Sequence, residues 1–351
     1  VVSQGRDPLG GKIPVTVITG FLGSGKTTLI SNLVKHPSMN RVAVVINEMG
    51  EIGIDHDLVS LSSENMTLLA NGCICCSVRT DMQETLRELF AKRQVGDVFD
   101  FDRVIIETTG LADPAPVLQT LVSDTLLEAR YRLDGLITLV DAVNGLDQIL
   151  TQDEAQKQVA LADRLLITKT DLSSQDSLDQ LMSELKRINP NADSLTVLNG
   201  EANPTDLIGL GLGSSRLNAQ TFQFIQGIDL LTKSPQGGSY LGATLPRPHS
   251  SIKTLSLRFQ VPFTWESFSS ALELLAKLRG PDLLRVKGIL NVQGEPLVIQ
   301  GVQHIFHNPV KLEHWPSEDL DTRLVFITRN MDVEMIEQLF KAVCLLSEQS
   351  S

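Results

Sequence analysis

Positive charge is in short supply: 30 Lys and Arg stand against 42 Asp and Glu, a formal net charge of -12. Binding nucleic-acid phosphates takes clustered Lys and Arg, so this balance argues against a nucleic-acid partner. No apolar run approaches the roughly 18 residues of a membrane-crossing helix, which argues against a membrane partner. Cysteine is scarce, with four in all. Three of these, Cys73, Cys75 and Cys76, are crowded together, which is not a secreted disulfide framework. A reducing cytoplasm is the expected location. The opening stretch, VVSQGRDPLGGK, has no charged flank, apolar core or cleavage signal of an export sequence. It also lacks an initiator Met, so it reads as processed or truncated. Histidine, six in total, forms no tract, and metal storage by imidazoles is not expected. Repeats are absent, and low complexity is confined to one internal stretch.

What is present is a βα alternation. PVTVITG (14–20), RVAVVINE (41–48), DRVIIETT (102–109), LDGLITLVDA (133–142), DRLLITKTD (163–171) and DSLTVL (193–198) are short, β-branched and nearly unbroken. Strands buried on both faces look like this, as in a parallel sheet covered by helices. Segments of helical spacing lie between them, at Lys26 to His36 and Arg79 to Arg93. The pattern predicts an α/β doubly wound domain over 1–212. GLGSSRLNAQ and KSPQGGSYLGATLPRPHSS then read as a linker over 213–250, rich in Gly, Ser and Pro. A second, smaller α+β domain is expected over 251–351, with strands IKTLSLRFQV, DLLRVKGILNV, PLVIQGVQHIFH and TRLVFITR and two helices.

GFLGSGKT, Gly20 to Thr27, fits G-x-x-x-x-G-K-[ST] between a buried strand and a helix. Glycines there let backbone N–H groups wrap phosphates at the positive end of a helix dipole. Lys26 can reach the β- and γ-phosphates and the Thr27 hydroxyl can ligate Mg²⁺. RVIIETTG ends an apolar strand in Glu107, a candidate for the Mg²⁺ shell, and Gly110 follows as a candidate γ-phosphate sensor. LLITKTD resembles the N/T-K-x-D guanine motif. In it Asp171 accepts from N1–H and the 2-amino group of guanine, and the stem of Lys169 crosses the base. Thr168 stands where Asn is commoner, at the expected loss of an amide near the P-loop. GTP is the favoured nucleotide.

NGCICCSVRTD supplies three thiols without the second cysteine pair of a zinc ribbon. An incomplete soft-ligand set suits Zn²⁺, Co²⁺ or Cu⁺ held for exchange. A helix expected near Ser77 would favour thiolate. INEMGEIGIDHDL (46–58) adds Glu48, Glu51, Asp55, His56 and Asp57, of which Glu48 or Glu51 could complete the metal site. Inert packing and redox chemistry are the competing readings of the cysteines. His304 and His307 sit three apart in a strand-like segment, on opposite faces, and read as separate surface imidazoles.

Together VTVITGFLGSGKTTLISNLV, VVINEMGEIGID, NGCICCSVRTD, IIETTGLADPAPV, LVDA and ADRLLITKTDL resemble the CobW-type GTPases, and DLLRVKGIL, IQGVQHIF and RLVFITR resemble that family's smaller domain. The resemblance implies a P-loop NTPase sheet of SIMIBI-like type and a metallochaperone or metal-insertion activity. It implies phosphate and Mg²⁺ binding by Gly23, Ser24, Gly25, Lys26, Thr27 and Thr28, and metal binding by Cys73, Cys75 and Cys76. Glu48 would lie near Mg²⁺ and the switch, with Glu107 behind it. Met49 departs from the Phe of the usual N-E-F-G-E, and the histidine-rich tract of many members is missing. The expected function is GTP-dependent delivery of a transition metal, zinc first, to a client metalloprotein, with slow hydrolysis. A second copy of the chain is a candidate partner. A cobalt handler or metalloenzyme activator is the alternative within the family. A thiol redox sensor and a phosphotransferase are the alternatives outside it.

Overall fold

The computed structural model describes residues 11–47, 59–63, 66–69, 74–77, 82–210, 252–306 and 309–348. They fall into two compact units, one holding 11–185 and 192–210, the other 186–191 and 252–348. The domain borders expected near 212 and 250 lie outside the described residues.

In the first unit, β1 (Ile13–Gly20) is buried at every position. That follows from a run of β-branched side chains with no polar face to give to water. It leads into α1 (Lys26–Leu33), then β2 (Val42–Asn47) and three short strands, β3 (Val59–Ser63), β4 (Met66–Leu69) and β5 (Ile74–Ser77). Next come α2 (Met82–Val95), β6 (Arg103–Thr108), α3 (Ala115–Ser123), α4 (Thr125–Arg130), β7 (Tyr131–Asp141), α5 (Gly145–Thr151) and α6 (Asp153–Leu161). The unit closes with β8 (Arg164–Thr168), α7 (Gln175–Ile188), β9 (Asp193–Val197) and α8 (Pro204–Leu207).

One nine-stranded sheet runs β3-β4-β5-β2-β6-β1-β7-β8-β9. From β5 to β9 every neighbouring pair is parallel, while β3 and β4 add an antiparallel margin. The six expected strands are thus its contiguous parallel body. The helix expected near Ser77 is not there: β5 runs through Ser77 and α2 begins at Met82. Pairing of Ile74–Ser77 with β2 holds that stretch extended.

An ion cluster ties the end of this unit to its sheet. Asp134 on β7 is 1% exposed and takes Arg103 at 2.5 Å, Arg132 at 3.0 Å and the Gly209 amide at 2.9 Å. Burial pushes the Asp134 carboxyl up, but Arg103, that amide and Arg132 outweigh it and hold it below the usual carboxylate range.

The second unit is an antiparallel sheet, β10-β15-β11-β12-β13 with β14 paired to β12. Its strands are β10 (Ile252–Phe259), β11 (Leu283–Val292), β12 (Glu295–Val302), β13 (Ile305–Phe306), β14 (Val310–Lys311) and β15 (Thr322–Arg329). Helices Trp265–Arg279 and Val333–Glu348 pack on it around Phe263, Phe268, Phe326 and Phe340. The segment expected to be one strand through His304 is broken by a turn, with Gln303 at φ 54, so His304 lies between β12 and β13 rather than on a strand face. His307 lies outside the described residues. Among the described residues no helix is long and apolar enough to cross a membrane.

Candidate nucleotide and metal site

The P-loop leaves β1 at Gly20, where φ is 145° and a Cβ would stand 2.5 Å from the Leu139 carbonyl oxygen and 2.7 Å from Ser24 Oγ. Only glycine fits there. The Ser24 amide donates to the Phe21 carbonyl at 3.2 Å. Gly25, at φ 94°, caps α1 in a left-handed conformation with no side chain of its own in the way. The N-terminal end of α1, the positive end of its dipole, therefore faces the loop. Lys26, 9% exposed, curls back so that Nζ donates to the Gly20 carbonyl at 2.9 Å and the Phe21 carbonyl at 3.3 Å. Its charge sits inside the loop, where a phosphate would meet it.

Glu107 is 5% exposed near the end of β6, in register with Ile18 of β1 and Ile46 of β2. The Thr27 hydroxyl donates to Glu107 Oε1 at 3.0 Å. A hydroxyl and a carboxylate are hard oxygen donors, and their meeting at a phosphate loop suits Mg²⁺. One residue on, the Thr108 hydroxyl donates to Thr19 Oγ1 at 2.7 Å, locking β6 to β1 just before both strands end. Gly110 then presses on the P-loop: a Cβ there would lie 2.8 Å from Leu22 N and 2.9 Å from Leu22 Cα.

On the other flank, Thr168 closes β8 and donates through Oγ1 to the Ser24 carbonyl at 2.9 Å. Thr168 brings no side-chain amide to the P-loop, but its hydroxyl makes a tie of its own there. Lys169 has a left-handed backbone, φ 56°, and its Nζ donates to Asp141 Oδ2 at 2.6 Å. Asp171 follows, exposed, in the short 3₁₀ turn Thr170–Leu172. Gly200 packs against α1, where a Cβ would come within 2.9 Å of Thr28 Cγ2, so a further loop abuts Thr28.

The structure thus brings Gly20, Gly23, Ser24 and Gly25 of the loop together with Lys26, Thr27 and Thr28 of the first turn of α1, with Glu107 and Gly110 on one side and Thr168 and Lys169 on the other. Cys75 and Cys76 lie on β5, in register with Val44 and Val45 of β2. Their strand is three intervals from β1, separated by β2 and β6. Cys73, Glu48 and Glu51 lie outside the described residues, as do Met49, Asp55, His56 and Asp57. Among the described residues no group of three or more His, Cys, Asp or Glu is gathered as for a metal ion.

Two functional candidates escaped the sequence reading. Asp141 is 1% exposed at the end of β7, opposite Thr168 of β8. It accepts from the Val143 and Asn144 amides at 2.8 Å and 3.3 Å, from Asn144 Nδ2 at 3.1 Å and from Lys169. Burial raises its pKa, but the bonds from Lys169, Val143 and Asn144 outweigh that and keep it below the usual carboxylate range. An acid ending the strand beside the T-K-x-D strand was the available signal. The other is Gln158 on α6, for which spacing held no signal.

Residues 14–196 match the family described as CobW/HypB/UreG, nucleotide-binding domain, and residues 252–344 match the cobalamin synthesis protein cobW C-terminal domain. The zinc chaperone YjiA of Escherichia coli is 35% identical over 336 residues, which cover 93% of this chain and 98% of the relative. The zinc chaperone CobW of a Sinorhizobium species is 28% identical over 352 residues, 90% of this chain and 93% of the relative. The crystal structure of Zn(II)-bound YjiA GTPase superposes with a TM-score of 0.74 at 31% identity, covering 95% of this chain and 99% of that one.

Proposed function

The chain belongs to the CobW/HypB/UreG family, and from that premise we propose that it is a GTP-dependent zinc metallochaperone. In this reading it loads zinc on Cys73, Cys75 and Cys76 and hands it to a client metalloprotein. The observation that carries the reading is the common sheet. The P-loop strand β1, the Glu107 strand β6 and the cysteine strand β5 are all parallel in one sheet, with only β2 between the last two. Nucleotide and cargo loops therefore issue from the same rigid frame.

Lys26 and the α1 amides hold the phosphates, and Asp171 with the stem of Lys169 selects guanine. Thr27 and Glu107 would hold Mg²⁺, which when bound neutralises charge on the phosphates. Gly110, seated on the P-loop backbone, offers its amide to the γ-phosphate. Glu48 and Glu51, which follow β2 in the sequence, are candidates for joining switch and metal. No described residue is assigned to positioning the attacking water, so the isolated chain should turn over slowly until a client or a second copy of the chain completes the site. Cytoplasmic work fits thiolates kept reduced.

Zinc content alone does not test the cysteines. A variant of YjiA with one glutamate and two cysteines changed to alanine is also Zn(II)-bound in its crystal structure. The decisive measurement is Co²⁺ titration of reduced protein, read by thiolate charge-transfer absorbance, with GTP analogue, GDP or no nucleotide. Wild type should show the band and an affinity that shifts about 5- to 150-fold between nucleotide states. Cys75→Ser and Cys76→Ser should weaken both. An affinity indifferent to nucleotide would end the coupled reading, and a band surviving both substitutions would end the cysteine assignment.

A further inference from the structure

Gln158, in the middle of α6, is 1% exposed. A long polar side chain is seldom kept in such a place without partners that need it. Its Nε2 donates twice, to the Gly110 carbonyl at 3.1 Å and to the Ala112 carbonyl at 3.0 Å. Its Oε1 is buried and has no hydrogen-bond partner among the described residues. The side chain is therefore held for its donors: turned over, the amide would aim an acceptor at two acceptors.

The turn it grips is closed by a bond from the Ala112 amide to the Thr109 carbonyl at 3.1 Å. Asp113, next in the chain, pairs with Lys157 Nζ at 3.3 Å, so neighbouring residues of α6 hold the turn at two points. Gly110 also lies close against Leu22, where a Cβ added to it would stand 2.8 Å from Leu22 N. The turn 109–113 is clamped between P-loop and α6.

We infer that Gln158 is a positioning residue for GTP turnover, setting the Gly110 turn in its triphosphate-sensing form before nucleotide arrives. This rests on the role proposed above for Gly110. In a trans peptide, C=O and N–H point opposite ways, so with the Thr109 carbonyl turned to the Ala112 amide inside the gripped turn, the Gly110 N–H faces out of it. A turn already fixed gives up little conformational freedom when the γ-phosphate binds. GDP, which has no γ-phosphate, gains nothing from the clamp.

The test compares wild type with Gln158→Leu, which keeps the bulk, removes both donors and removes the unpaired oxygen. The ratio of GDP to GTP-analogue dissociation constants should fall about tenfold, the scale of two neutral hydrogen bonds. GDP affinity should stay within about twofold, and kcat should fall more than KM rises. Lys157→Met, at the partly exposed tether, leaves Gln158 in place and should move the same ratio about twofold; it decides the question if Gln158→Leu does not fold. Equal weakening of both nucleotides, or an unchanged ratio, would mean that Gln158 only supports the fold, and would overturn the inference alone. A wild type that hydrolyses no GTP would overturn it together with the functional reading.

Discussion

Asn in place of Asp141 should loosen the proposed guanine-reading loop without touching nucleotide. Asp141 is buried and accepts from Lys169 Nζ at 2.6 Å. Asn keeps one oxygen for the Val143 and Asn144 amides but sets an amide nitrogen against the Lys169 ammonium. Losing a hydrogen bond to a charged group costs about 1.5–3 kcal/mol. The Lys169 side chain is 37% exposed, so its ammonium can turn to water and the lower end applies, about 1.5 kcal/mol. Asp141→Asn, Lys169→Met and the double variant, compared by urea unfolding without nucleotide, should give a coupling energy of about 1–2 kcal/mol. Lys169 also holds a left-handed backbone, so part of the loss should appear as GDP affinity lowered about fivefold. The pH dependence has a defined sign. The Asp141 pKa is lowered by folding, so its contribution is complete above the unfolded value near 3.9 and is lost as pH falls through the folded one. The gap between wild type and Asp141→Asn should therefore be flat from roughly pH 5 to 8 and close only in acid. A coupling below about 0.5 kcal/mol, or a gap that titrates near neutrality, would refute this account of the pair.

Gly110→Ala should abolish GTPase activity, because its Cβ would meet the backbone of Leu22, which has no side-chain end to swing aside; single-turnover hydrolysis checks it. Thr168→Val should cost about 1–2 kcal/mol in chemical unfolding and weaken GTP analogue and GDP alike, since it unties the Ser24 carbonyl from β8; unaltered stability would show that tie to be incidental.

The parallel body of the first sheet was legible because central strands such as Ile13–Gly20 have no exposed face and so show unbroken β-branched runs. The margin β3-β4-β5 was not. Its strands are four or five residues long, VSLSS carries Ser where a buried strand would carry Val, and the cysteines invited a loop reading of ICCS. The phosphate loop could be read because its geometry demands Gly at Gly20 and Gly25, which leaves a pattern. Asp141 and Gln158 act from outside that pattern, through contacts that join strand to strand and helix to turn, so neither has a spacing to reveal it. The break after Val302 hid behind apolar residues on both sides; a left-handed Gln303 makes the turn where a glycine would have announced it.

The three strand intervals between the P-loop strand and the cysteine strand set the form that any coupling must take. At about 4.8 Å each they put those strand backbones some 14 Å apart. Nucleotide state would then reach the proposed thiolates through the strands and loops between them. Discharge would be a change of grip passed along the sheet, timed by turnover at its far side.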